Sequence, residues 1–261
     1  MRALALLYHD VVEADSLASS GFPGADSDTY KLGVGAFTAH VAAIDRATRH
    51  KPGSAFQLIE QENAQPVRLL TFDDGGVSAY THIADLLEEH GWPGHFLVTT
   101  NRIGSPTFLS REQIQSLRRR GHIIGSHSVS HPVRMSACSW DVLVDEWRSS
   151  RQVLSDILGE DVTVASVPGG YFSKTVARAA SVAGIRLLFT SEPSTRCYFV
   201  DNCLVVGRYC LRSRTPPSTA ARLARGDWSP RLTSWLSWNT KKAAKKMAGD
   251  FYLRTRLTLL R

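Results

Sequence analysis

The 261-residue sequence predicts an α/β fold built on a mostly parallel sheet. Short apolar runs of strand character alternate with stretches whose apolar residues recur at helical spacing, the pattern of repeated βαβ units. A composition that is 43% hydrophobic and 21% charged supports a sizeable buried core without disulfide or metal staples.

The elements follow in order. Ala3–Tyr8 reads as a buried strand. Its apolar run is shorter than the roughly 7–15 residues of a secretory leader and runs into His9-Asp10. No stretch reaches the ~20 apolar residues of a membrane span. A polar loop covers Glu13 to Leu32, and Ala36–Arg49 places Phe37, Val41 and Ile44 on one helical face. After the Pro52-Gly53 break, Ala55–Ile59 and Val67–Phe72 read as a strand pair. Helices are expected at Val77–His90, at Ser110–Arg120 with Ser110 as N-cap, at Ser139–Leu158 and at Lys174–Ala183. Strands are expected at His95–Val98, Ile123–Ile124, Val162–Val167, Arg186–Thr190 and Leu204–Tyr209.

The net charge of +7 is uneven: residues 212–261 hold twelve Lys/Arg against two Asp/Glu, a local +10 that leaves −3 for residues 1–211. This divides the chain into a catalytic-type domain, 1–211, and a basic, helical C-terminal extension, 212–261. A nucleic-acid enzyme carries its positive charge around the active face, so no nucleic-acid partner is expected. The four cysteines lack metal or redox spacing and read as reduced thiols of a cytoplasmic protein.

Three groups that could do chemistry follow strands, and in an α/β barrel the C-terminal strand ends converge. Asp73-Asp74, in Thr71-Phe72-Asp73-Asp74-Gly75, offers one carboxylate for a metal and one for substrate; it also fits an acidic strand-to-helix turn. His127 and His131, in His127-Ser128-Val129-Ser130-His131-Pro132, can meet at one ion and leave positions open for water; they also fit a surface loop. His9 ends the first strand, where a histidine can act as proton donor.

In combination, TFDDG and HSVSHP resemble the polysaccharide deacetylase, or NodB-homology, family of carbohydrate esterases. The resemblance implies a distorted (β/α) barrel and one divalent ion, zinc foremost, with cobalt, nickel or manganese as substitutes. It implies Asp73 as catalytic base and Asp74, His127 and His131 as metal ligands. No Leu-x-His motif follows the last histidine, His131. The opening LLYHDVV instead resembles the branch in which this strand is permuted to the N-terminus, which makes His9 the catalytic acid. A third motif, Arg-x-Pro-Tyr/Phe-Gly, is replaced by Ser166-Val167-Pro168-Gly169-Gly170-Tyr171. Pro168, Gly169 and Tyr171 are the expected pocket, with the Gly169 N–H at the oxyanion. Arg208 is the candidate for the missing arginine, a structural salt bridge being its other role. Tyr8, Trp92, Tyr171 and Phe172 are candidate sugar platforms, with core packing the default for each.

The expected activity is hydrolysis of N-acetyl groups on a glycan or lipid-linked amino sugar. Deformylation of a lipid-linked amino sugar, O-acetyl ester hydrolysis and an inactive carbohydrate- or membrane-binding module are the alternatives. In residues 228–261, Trp235 and Trp238 precede Lys241, Lys242, Lys245 and Lys246, an interfacial pattern. The extension is therefore expected to be mostly helical, with both tryptophans on one surface against the anionic inner face of a membrane.

Overall fold

A computed structural model describes residues 1–13, 16–60 and 65–242. The strands are β1 (Ala3–Tyr8), β2 (Val11–Val12), β3 (Leu32–Gly33), β4 (Val67–Phe72), β5 (Gly94–Val98), β6 (Ile123–Ser126), β7 (Val164–Ser166), β8 (Leu187–Phe189), β9 (Tyr198–Val200), β10 (Cys203–Val206) and β11 (Arg208–Cys210). The helices are α1 (Ala25–Asp28), α2 (Val34–Ala47), α3 (Gln57–Glu60), α4 (Ala84–Glu89), α5 (Arg111–Arg119), α6 (Trp140–Leu158), α7 (Lys174–Val182) and α8 (Pro217–Arg225). A further helix occupies residues 228–242.

The main sheet has the order β11-β1-β4-β5-β6-β7-β8-β10-β9, parallel throughout except for the β9–β10 hairpin. Its two sides are joined by one residue. β10 pairs with β8, β11 pairs with β1, and only Gly207 separates them. The expected single strand Leu204–Tyr209 is thus two strands, broken where the barrel closes. A Cβ at Gly207 would lie 2.4 Å from the Glu192 carbonyl oxygen and 2.8 Å from that of Ser194, so only glycine fits the corner.

Alternation along the strands builds the layers. In β1, Leu4, Leu6 and Tyr8 join the core under α2 and α8, while Ala3 and Ala5 face the barrel interior with Leu69, Leu97, Val164, Phe189 and Val206. In β4 the interior parity runs Leu69, Thr71, Asp73, which delivers Asp73 to the barrel mouth. Trp92 and Tyr8 are core residues, not sugar platforms.

The expected strand Ala55–Ile59 is instead the turn that leads into α3. Its amides are consumed locally: Gln57 N–H donates to Ser54 O, Leu58 N–H to Ala55 O, and Ala55 N–H to the His95 ring. Ala55 and Leu58 are buried all the same, and burial is what the apolar pattern recorded. The expected helix Val77–His90 opens with a π-turn over Ala79–Ile83 before α4.

The packed body continues past residue 211. α8 lies on α2 and β1, and Ala220, Leu223 and Ala224 join the main core. Within 228–242 the two tryptophans part company. Trp235 is exposed, whereas half-buried Trp238 puts its ring 3.2 Å from where a Cβ of Gly170 would stand. The outward stripe is Trp228, Leu232, Trp235 and Leu236 (73%, 44%, 51% and 50% exposed), spaced to share one helical face. Residues 243–261, with Lys245 and Lys246, lie outside the described residues.

Candidate active site

Asp73 and Asp74 leave β4 in a tight left-handed turn. Asp74 has φ +76° and Gly75 φ +82°, and a Cβ at Gly75 would sit 3.1 Å from the Val98 backbone. A non-glycine residue held at positive φ is strained, and such strain persists only where the surroundings fix it. Here Thr99 N–H donates to Asp74 O and Leu109 N–H to Gly75 O. The turn points the two neighbouring carboxylates in different directions.

Asp73 faces Arg208. The guanidinium donates from Nη1 to Oδ1 and from Nη2 to Oδ2, both at 2.7 Å, and its Nε donates to Thr190 O. Arg208 is fully buried with its plane over Phe189. Burial alone would raise the Asp73 carboxyl; the charge of Arg208, then that of His127, the Arg208 hydrogen bonds and His9 together hold it well below the usual range. Asp73 is therefore an anion at any physiological pH.

Asp74 faces the histidines. Its Oδ1 is 3.4 Å from His127 Nε2 and 3.6 Å from His131 Nε2, and the three donor atoms lie within 4.8 Å of one another. These separations are long for hydrogen bonds. They match the ~3.4 Å between donors that each sit about 2.0–2.1 Å from a tetrahedral ion. His127 Nδ1 sits 3.1 Å from Ser166 O, a carbonyl that can only accept, so in the neutral ring Nδ1 carries the proton and Nε2 is the nitrogen free to bind an ion. Among the described residues this is the one group of three such side chains able to hold a metal ion.

The loop bearing both histidines is pinned from α6. Glu146 accepts from Val129 N–H, Ser130 N–H and the Ser130 hydroxyl, and Ser128 Oγ accepts from His131 N–H. Ser128 and His131 both adopt positive φ. Burial lowers the pKa of His131, with His127 adding to the effect. For His127 burial is outweighed by Asp73 and Asp74, and its pKa rises.

Ser166 had no expected role, yet it bridges two of the site's side chains. Its hydroxyl accepts from His127 Nδ1 at 2.6 Å and donates to Asp73 Oδ1 at 3.0 Å, tying ligand to carboxylate. Beyond it, Pro168 is buried and Gly169 turns through φ +61° beside the Val133 carbonyl. Tyr171 lies under Arg134. This pocket loop therefore borders the histidine loop.

His9 leaves β1 on the same rim. Its charge lowers the pKa of both Asp73 and Asp74, and its ring lies 4.7 Å from that of Tyr30. Its Nδ1 is buried with no hydrogen-bond partner. Asp10, the neighbouring acid, is occupied elsewhere, accepting from Ser20 Oγ and Ser78 Oγ. Among the described residues no carboxylate orients His9.

Residues 60–188 match the family model "Polysaccharide deacetylase". A segment of 162 residues is 30% identical to the peptidoglycan-N-acetylmuramic acid deacetylase PdaA of Bacillus subtilis, covering 56% of this chain and 59% of that protein. The putative polysaccharide deacetylase YxkH of the same organism is 23% identical over 143 residues, 55% of this chain and 51% of the relative. The matches thus span about half the length of these relatives. The fold is similar to that of IcaB from Ammonifex degensii (TM-score 0.70, 20% identity, 86% of this chain and 97% of that one). It is also similar to that of the Streptococcus pyogenes deacetylase PplD (TM-score 0.68, 18% identity, 83% and 95% covered). The observed sheet is the distorted (β/α) barrel of these neighbours. The family model spans the segment that holds Asp73, Asp74, His127 and His131, so residues 60–188 resemble a polysaccharide deacetylase domain in sequence, and the chain shares the fold of such enzymes.

Proposed function

We propose that this protein is a metal-dependent hydrolase that removes N-acetyl groups from a glycan or a lipid-linked amino sugar. The observation that carries the reading is the division of labour between adjacent carboxylates: Asp74 faces the Nε2 atoms of two histidines, and Asp73 is held ionised by Arg208. Asp74, His127 and His131 would hold the ion, zinc being the metal that suits two imidazoles and one carboxylate. When bound it supplies Lewis acidity, drawing electron density from the acetyl carbonyl and lowering the pKa of water.

The chain's own groups do the rest. Asp73 takes a proton from the attacking water, with Arg208 and Ser166 fixing the carboxylate's orientation. The Gly169 N–H is assigned to the developing oxyanion. His9 protonates the departing nitrogen, without which an amine is a poor leaving group. One amide and one water become acetate and a free amino sugar. The similarity to PdaA, a peptidoglycan-N-acetylmuramic acid deacetylase, favours the amide over an acetyl ester.

The exposed stripe Trp228-Leu232-Trp235-Leu236, with Lys241 and Lys242 at the end of the same helix, supports peripheral contact with an anionic membrane. Among the described residues no helix is long and apolar enough to cross one. Contact at the cytoplasmic face would bring lipid-linked or newly made sugars within reach.

The test is product analysis on N-acetylated oligosaccharides and lipid-linked amino sugars, with zinc-loaded and chelator-treated protein. Free amine and acetate in equal amounts, lost on chelation, are expected. Formate as product would shift the reading to deformylation. Turnover of acetyl esters alone would overturn it.

A further inference from the structure

At the opposite end of the barrel from Asp73, a cleft of about 230 Å³ is lined by Arg2, Arg68, Arg225 and Arg231 with Gln65 and Thr195. Arg2 precedes β1 and Arg68 is the second residue of β4. Five residues of extended strand separate Arg68 from Asp73, about 17 Å, so the cleft is separate from the catalytic mouth.

Among the described residues its charge is only partly compensated. Arg68 donates to the carbonyls of Ala224 and Pro66, and Arg231 donates to Gly226 O, the Tyr209 hydroxyl and Thr195 Oγ1. Neutral acceptors fix both guanidiniums in place and leave their charge intact. Against the four arginines stands one carboxylate, Asp227, which pairs with Arg225 and is shared with Arg222 outside the cleft. Among the described residues Arg2, Arg68 and Arg231 have no acidic partner. Partial burial lowers the pKa of Arg68, as expected of a cation without a counter-charge. Half-buried guanidiniums held by carbonyls are costly to folding unless an anion completes them.

We infer that this cleft is an anion site for a phosphoryl group, a phosphate monoester or pyrophosphate. Planar forks converging with several net positive charges suit an oxyanion of two or more charges better than a lone carboxylate. Arg2, exposed and bonded to nothing through its side chain among the described residues, closes over the ligand. Among the described residues Arg68 Nη2 and Arg225 Nη1 make no hydrogen bond, which leaves them to the anion. The site neither needs nor alters the deacetylase reading.

Titration calorimetry of the full chain with inorganic pyrophosphate tests this, using Arg2→Gln and Arg68→Gln. Arg2→Gln keeps the fold intact because it removes no internal bond. Saturable one-site binding is expected, weakened about tenfold by either substitution, with unchanged deacetylation of a soluble substrate in Arg2→Gln. Binding to phosphatidic acid vesicles, compared with phosphatidylglycerol vesicles of equal surface charge, identifies the source. A preference for phosphatidic acid that Arg2→Gln removes places the phosphoryl group on a lipid. Pyrophosphate binding without that preference places it on a soluble ligand. No saturable pyrophosphate binding, or binding that both variants retain in full, overturns the inference.

Discussion

Arg208 and Asp73 meet through two parallel contacts of 2.7 Å, although 135 residues separate them in the chain. The pair forms because the Gly207 corner turns the first residue of β11 inwards, beside the interior end of β4. The arginine that holds Asp73 thus comes from β11, not from the β7 segment that holds Ser166.

Replacing Arg208 by methionine leaves a buried carboxylate without its partner. Stability is expected to fall by about 3–5 kcal/mol, the usual cost of breaking a buried pair from one side. Arg208→Lys is expected to recover part of the stability but not the two-point hold, and turnover should stay low. Thermal unfolding and kcat of both variants check this. Wild-type turnover in either would show that the clamp does not serve the reaction.

Ser166→Ala removes the hydroxyl between His127 and Asp73. The Ser166 carbonyl still fixes the His127 tautomer, so the ion is expected to be held, with affinity about 10–100-fold weaker. Competition with a zinc chelator measures it. An unchanged affinity would make Ser166 a packing residue.

A pH dependence follows from His95, which is fully buried between Leu70 O and Ala55 N–H, where burial pushes its pKa down to about 4. A histidine with a depressed folded-state pKa stabilises the fold above its unfolded value, near 6.5, and that stability is lost as pH falls towards 4. The contribution is roughly 3 kcal/mol. Urea unfolding from pH 7 to 4 should show this slope, and His95→Gln should flatten it. An equal slope in the variant would assign the effect to other groups.

The membrane reading makes its own demand. Trp235→Ser with Leu236→Ser is expected to abolish co-sedimentation with anionic vesicles while sparing hydrolysis of a small soluble acetamide. Wild-type binding should weaken as salt rises, because exposed charges are screened beyond about 8 Å at physiological ionic strength. Salt-independent binding would contradict it.

The four residues Asp73, Asp74, His127 and His131 were legible because each sits in a short motif just after a strand, and parallel strands bring such ends together. The position of His9 on the same rim was legible because it too follows a strand, and Arg208 was legible only as one of two possible roles. Ser166 and Glu146 carried no signal, since a serine after a strand and a glutamate on a helix are ordinary until the chain is folded. The break at Gly207 was hidden by a continuous apolar run that reads as one strand whichever side of the barrel each half joins. Trp238 was placed with Trp235 on spacing alone. Trp238 falls at the edge of the face that Trp235 shares with Trp228, Leu232 and Leu236, and there the body covers it.

The central claim is that Asp74, His127 and His131 hold one divalent ion beside an ionised Asp73. Anomalous scattering at the zinc edge, from crystals of the zinc-loaded protein, tests it most directly. One full-occupancy peak is expected, with His127 Nε2, His131 Nε2 and an Asp74 carboxylate oxygen each at about 2.0–2.2 Å. A peak elsewhere, or none at that trio, would contradict the account.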